Sequence, residues 1–142
     1  MSDMVLSAAT SSLPDCPMDR ALAVAADLGF EAVELTLWGE AFHSGGRVPG
    51  LWWRETGQAD RRALREGLAA FQYFDGHLPF LDCPLVSANK FVEALGRELV
   101  AEALSALAGL GGGVAILRLT PCPARSYGEL WDRLVEGCRW LG

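Results

Sequence analysis

Short apolar runs alternate along this chain with longer stretches in which apolar residues recur at helical spacing. The runs at 4–9 (MVLSAA), 32–37 (AVELTL), 71–77 (FQYFDGH) and 114–120 (VAILRLT) read as short, largely buried strands bounded by Gly, Pro and Ser. Between and after them lie four helical patterns. Residues 17–28 put Met18, Leu22, Ala25 and Leu28 along one face, with Asp19 in an acidic first turn and Gly29 as the stop. Residues 60–70 turn Ala63, Leu64 and Leu68 inward and offer Arg61, Arg62, Arg65 and Glu66 to solvent as a wet face. Residues 89–110 repeat Phe91, Leu95, Leu99, Ala103 and Leu107, and Gly111-Gly112-Gly113 ends them. Residues 126–141 carry Leu130, Trp131, Leu134 and Cys138. Only 38–57 lacks a period. It holds Gly39, Gly45, Gly46, Gly50 and Gly57 with Trp38, Trp52 and Trp53, and reads as a long loop without regular structure, of the kind used as a lid or binding loop.

Four strand–helix units with no antiparallel interlude predict an α/β fold with parallel strands and right-handed crossovers. An open doubly wound sheet and part of an eight-fold barrel both satisfy that order. The glycine triplet follows a helix and precedes a strand, the reverse of a phosphate-cradling loop, so the first architecture lacks its main positive sign. In the second, Glu34, Asp75, His77 and Arg118 converge at one mouth.

Composition narrows the class. A chain of 142 residues suits a single domain, 1–142, and with half its residues apolar and 21% charged it is globular. Twelve basic residues against eighteen acidic ones leave a net charge of −6, which argues against a nucleic-acid surface. No apolar run approaches the ~20 residues of a membrane span, and the N-terminus lacks a basic start followed by a long apolar stretch, so a cytoplasmic protein with no membrane partner is expected. Cys16, Cys83, Cys122 and Cys138 show no CxxC pair. Three of them precede a proline, which would place Cys16, Cys83 and Cys122 on one face; three similar turns explain this as well as a soft-metal site does.

Particular residues carry the candidate chemistry. His77 stands where the third apolar run gives out, the place where parallel α/β proteins put their chemistry. Glu34 interrupts an apolar strand, and a carboxylate there needs a polar pocket or a partner. Trp38 follows directly. His43 and Arg47 lie in the long loop, where the reading as solvated surface residues outweighs that of anion ligands.

Residues DLGFEAVEL (27–35), then GHLPF (76–80), then LAGLGGGVAIL (107–117) resemble the xylose-isomerase-like TIM barrels in order and spacing. That superfamily includes sugar-phosphate isomerases and epimerases and a branch of AP endonucleases. The resemblance covers nearly the whole chain but only the first four of the family's eight units, so it implies a partial (β/α)8 barrel, a half barrel of four parallel units. It implies that Glu34 ends the second strand facing a pocket and that His77 matches the family's third-strand histidine near a small-carbohydrate substrate; Trp38 and Arg118, at neighbouring strand ends, are expected to contact the same substrate. The fourth strand reads Leu117-Arg118-Leu119-Thr120 where many members carry a histidine, which weakens the endonuclease reading. In the isomerases and epimerases the metal and the acid/base carboxylates come mostly from the second half. A divalent metal (Mn, Mg, Co or Zn) is therefore expected for the full barrel and none for this half, and no catalytic residue is assigned. The expected partner is a C-terminal half or a second copy. The alternatives are a non-catalytic half-barrel interaction module that dimerises and, less favoured, an endonuclease-like DNA-repair protein.

Overall fold

A computed structural model describes residues 4–39, 41–43, 46–80, 83–118 and 127–141. Leu119, Thr120 and the Cys122-Pro123 pair fall outside them, as do the side chains of His43 and Leu130. The central sheet has four parallel strands: β1 (Ser7–Ala9), β2 (Ala32–Thr36), β5 (Tyr73–His77) and β6 (Ala115–Ile116), neighbours in that order. The connecting helices are α1 (Met18–Asp27), α2 (Gln58–Leu68) and α3 (Lys90–Leu110), and α4 (Tyr127–Leu141) follows β6. No described helix is long and apolar enough to cross a membrane.

Local chemistry fixes the helix ends. The Asn89 side chain accepts the Phe91 N–H at the start of α3. Gly111, with φ of +96°, ends α3 in the left-handed conformation that costs Gly least. One face of the sheet is dry: Val33, Leu35 and Leu37 join Leu22, Leu64, Val100 and Leu107 in a continuous core under the helices. Gly76 lies on that face, where a Cβ would come within 2.3 Å of Leu37. Strand alternation sends Glu34, Thr36, Asp75 and His77 to the opposite face, where Glu34 pairs in register with Asp75 and Thr36 with His77.

Several expectations change. β1 covers only the last three of the residues 4–9. The segment 38–57 is not structureless: β3 (Ala41–His43) and β4 (Gly46–Val48) form an antiparallel hairpin. Asp15 clasps it, donating its N–H to the Arg47 carbonyl and accepting the Arg47 N–H on Oδ1 at 3.0 Å. Ala63 and Leu28 are exposed rather than inward. The buried stripe of α3 starts on Glu93, Gly96 and Val100 before meeting Ala103 and Leu107, which leaves Phe91 75% and Leu95 54% exposed. Gly96 decides this face, because only a residue without Cβ lets α3 approach the Pro84 carbonyl, which a Cβ would meet at 2.3 Å.

The arginines of α2 are not simply wet. Arg61 lies over the Trp53 ring and donates to the carbonyls of Trp53 and Thr56, while Arg65 donates to the Gly109 carbonyl. Arg54 binds Glu98 and Glu102 on α3, each at 2.7 Å. Arg54 and Arg61 thus strap residues 53–56 to the helical layer, and Arg65 ties α2 to α3.

Candidate functional site at the strand ends

The C-terminal ends of β2 and β5 are locked side by side. The Leu37 N–H donates to the His77 carbonyl at 3.0 Å, and the Leu78 N–H donates to the Ile116 carbonyl at 2.9 Å. Beside them, Thr10 opens a short 3-10 turn (Thr10–Ser12) after β1, and its hydroxyl meets that of Thr36. The chain leaves this platform through Trp38 on one side and Leu78-Pro79-Phe80 on the other.

Three rings collect there. Trp38 meets His77 edge-on at 5.1 Å between centroids and Phe80 at 5.2 Å, and His77 meets Phe80 at 5.1 Å. Such tilted contacts are the preferred arrangement of aromatic quadrupoles. The Arg118 guanidinium lies 4.8 Å above the Phe80 ring and adds a cation to the rim. Trp38 is buried, and its Nε1–H has no acceptor among the described residues.

The histidine's tautomer follows from its neighbour. His77 Nδ1 is 3.0 Å from the Leu78 carbonyl, which can only accept, so Nδ1 carries the hydrogen in that bond. In the neutral ring Nε2 then holds the lone pair and is the atom available to a ligand.

One alternation nearer the start of the strands, Glu34 and Asp75 lie side by side on the same face. Asp75 Oδ1 is buried without a donor. Burial raises the Asp75 carboxyl above its ordinary value, the nearby Glu34 adds to the rise, and His77 offsets part of it.

The four residues singled out in the sequence therefore fall into two groups. Trp38 and His77 touch directly, and Arg118 joins them through Phe80. Glu34 shares their sheet face but stands beside Asp75, below the rings. Phe80, Thr10 and Thr36 were not singled out. Phe80 stands in the GHLPF segment, yet nothing in its spacing says that it folds back over His77. Arg47 lines a cavity of about 510 Å³ with Asp15, Cys16 and Pro49, at the hairpin rather than at the rings.

Among the described residues no three His, Cys, Asp or Glu side chains group closely enough to hold a metal ion. Burial pushes the Cys83 thiol up to about 11, and its Sγ donates to the Gly96 carbonyl, so Cys83 acts as a small apolar filler rather than as a ligand. Among the described residues, the divalent metal that the resemblance implies for the full barrel finds no ligand set.

No family model matches this sequence, and no curated protein matches it. Among solved structures, a D-tagatose 3-epimerase-like protein matches with a TM-score of 0.71 at 16% identity, over 96% of this chain and 47% of that one. The chain thus spans about half the length of that protein. At this identity the likeness speaks for the fold, and it agrees with the four-stranded parallel sheet. The chain has the fold of half a TIM barrel.

Proposed function

We propose that this chain provides the substrate-pocket half of a sugar isomerase or epimerase of the TIM-barrel type, with the Trp38–His77–Phe80 cluster as the floor of a monosaccharide site. The observation that supports this most is the position of the rings at the C-terminal strand ends, where barrels of this architecture bind their substrates. A sugar ring has apolar C–H patches and a hydroxyl rim. The aromatic floor suits the first, and His77 Nε2 as acceptor with Arg118 as donor suits the second. Glu34 and Asp75 would tune the charge beneath the floor.

The chemistry belonging to such a barrel is a proton shuttle beside a sugar carbonyl or hydroxyl, with a divalent metal polarising the oxygens. In the resembling family those groups come mostly from the other half, so this half's share is to bind and orient. The similarity to an epimerase-like protein supports the reaction class without choosing the sugar.

Calorimetric titration of the chain with ketoses, aldoses and their phosphates tests this reading. At least one should bind at millimolar or lower concentration, and Trp38→Ala and His77→Ala should each weaken it by about tenfold or more. Failure of every sugar to bind, with and without added Mn²⁺ or Mg²⁺, overturns it.

A further inference from the structure

Away from the rings, the first turns of α1 and α2 and the segment 50–56 enclose a cleft of about 750 Å³, a volume within the range of small-molecule sites. Met18, Leu51 and Trp52 give it an apolar lining. Asp19 from the first turn of α1, Asp60 from the first turn of α2 and Glu55 from the segment before α2 line it as well. None of Trp38, His77, Phe80 and Arg118 does.

The three carboxylates have no cation. Among the described residues neither a hydrogen bond nor an ion pair holds any of their side chains, whereas Glu93, Glu98 and Glu102 are each paired with arginine. The arginines next to them in the chain are engaged elsewhere. Arg54 binds Glu98 and Glu102, and Arg61 donates to the carbonyls of Trp53 and Thr56. The cleft therefore keeps its negative charge in a chain of net charge −6, and a concave wall focuses the field of such charges. Among the described residues the three do not group closely enough to hold a metal ion. Charge spread in this way over an apolar cleft suits a long cation rather than a point charge.

The wall is also preorganised and carries an aromatic face. Trp52 is 39% exposed, and its indole rests on Gly39, where a Cβ would stand 1.9 Å from Nε1. The Trp52 carbonyl accepts the Glu55 N–H at 3.1 Å and the Thr56 hydroxyl at 2.7 Å, which fixes the turn that carries Glu55. An exposed indole face attracts an organic cation through its ring quadrupole.

We propose that this cleft binds an extended organic cation, with an amine or guanidinium at either end of an aliphatic stem. The stem lies against Met18, Leu51 and Trp52, and the charged ends meet Asp19, Glu55 and Asp60. This site is separate from the sugar site and does not rest on it: a chain that bound no sugar would still bind the cation.

Agmatine, a guanidinium and an amine joined by a short aliphatic stem, is the probe. Titration calorimetry and the Trp52 indole resonance follow its binding to the full chain. The expected dissociation constant is about 1 mM or lower, rising about fivefold or more between about 0.02 M and about 0.3 M salt. Glu55→Gln and Asp60→Asn should each raise it about threefold, and Trp52→Leu by about as much. Glu66→Gln, on α2 but outside the cleft, should leave it unchanged. Glu55, Asp60 and Glu66 are exposed, so these variants keep the fold. No binding, equal binding of uncharged 1,5-pentanediol, an equal response of Trp52 to Ca²⁺, an equal loss in Glu66→Gln, or a shift at His77 without one at Trp52 would each overturn the proposal.

Discussion

Thr10 holds Thr36 from the end of the neighbouring strand: their hydroxyls lie 3.0 Å apart, and the Thr36 N–H donates to Thr10 Oγ1 at 3.0 Å. Both residues are buried, and Thr36 sits in register with His77, so this pair fixes the height of the ring cluster. Thr10→Val keeps the shape but strands a buried N–H, and should cost about 1–3 kcal/mol in urea unfolding. Thr36→Val removes only the hydroxyl pair and should cost less, about 1 kcal/mol. Equal losses would mean that the backbone bond carries no weight.

Asp75 should make the fold sensitive to rising pH. Burial, then Glu34, raises its folded-state carboxyl above the unfolded value. A group shifted upward contributes fully below its unfolded pKa, and that contribution disappears as pH climbs through the folded one. Asp75→Asn mimics the protonated form. Its denaturation midpoint should match that of the parent protein in acid and exceed it at neutral pH. Parallel curves across the whole range would show that Asp75 is not strained.

Glu93 works in the opposite sense. Burial alone would raise its carboxyl, but the Ser87 N–H, Arg133 and Arg97 outweigh burial and hold it below the ordinary value. The stability it contributes is present above the unfolded carboxylate pKa and falls away only in stronger acid, through the lowered folded one. Glu93→Gln leaves two arginines facing a neutral group. With both about a quarter exposed, the loss at neutral pH should be about 2 kcal/mol, shrinking in acid. Chemical denaturation at two pH values measures it.

Gly50 sets the place of Trp38. A Cβ there would stand 2.1 Å from the Trp38 carbonyl, which also accepts the Leu51 N–H at 2.8 Å. Gly50→Ala should therefore push the Trp38 backbone away and cost about 1–3 kcal/mol in thermal unfolding. It should also displace the His77 ring resonances in an NMR spectrum, whereas Gly113→Ala, which meets open space, should not.

Much of the architecture was legible because it rests on local signals. Apolar runs announced the four parallel strands, and Asp19 with Gly29 bracketed α1. What stayed hidden depends on partners distant in the chain. The hairpin of β3 and β4 carries no alternating pattern of its own and is held by Asp15. On α3 the helical spacing fits Phe91 and Leu95 as well as Glu93 and Gly96, and only the Pro84 carbonyl chooses between them. At the site, Trp38 and His77 could be read as polar-tipped residues leaving apolar strands. The clustering of Phe80 and the pairing of Thr10 with Thr36 follow from strand register and loop return, which no single segment encodes. The arginines of α2 looked solvated because a sequence does not show which carbonyls lie within their reach.

The straps from Arg54 and Arg61 give residues 53–56 the mechanical standing of the helices that hold them. Trp53 rests against Gly109 and Arg54 reaches Glu98 and Glu102, so this segment spans three turns of α3. A stretch fastened at so many points behaves as a buttress and makes a poor hinge. A change on the face of α3 that carries Gly109 would therefore be felt first at Trp53.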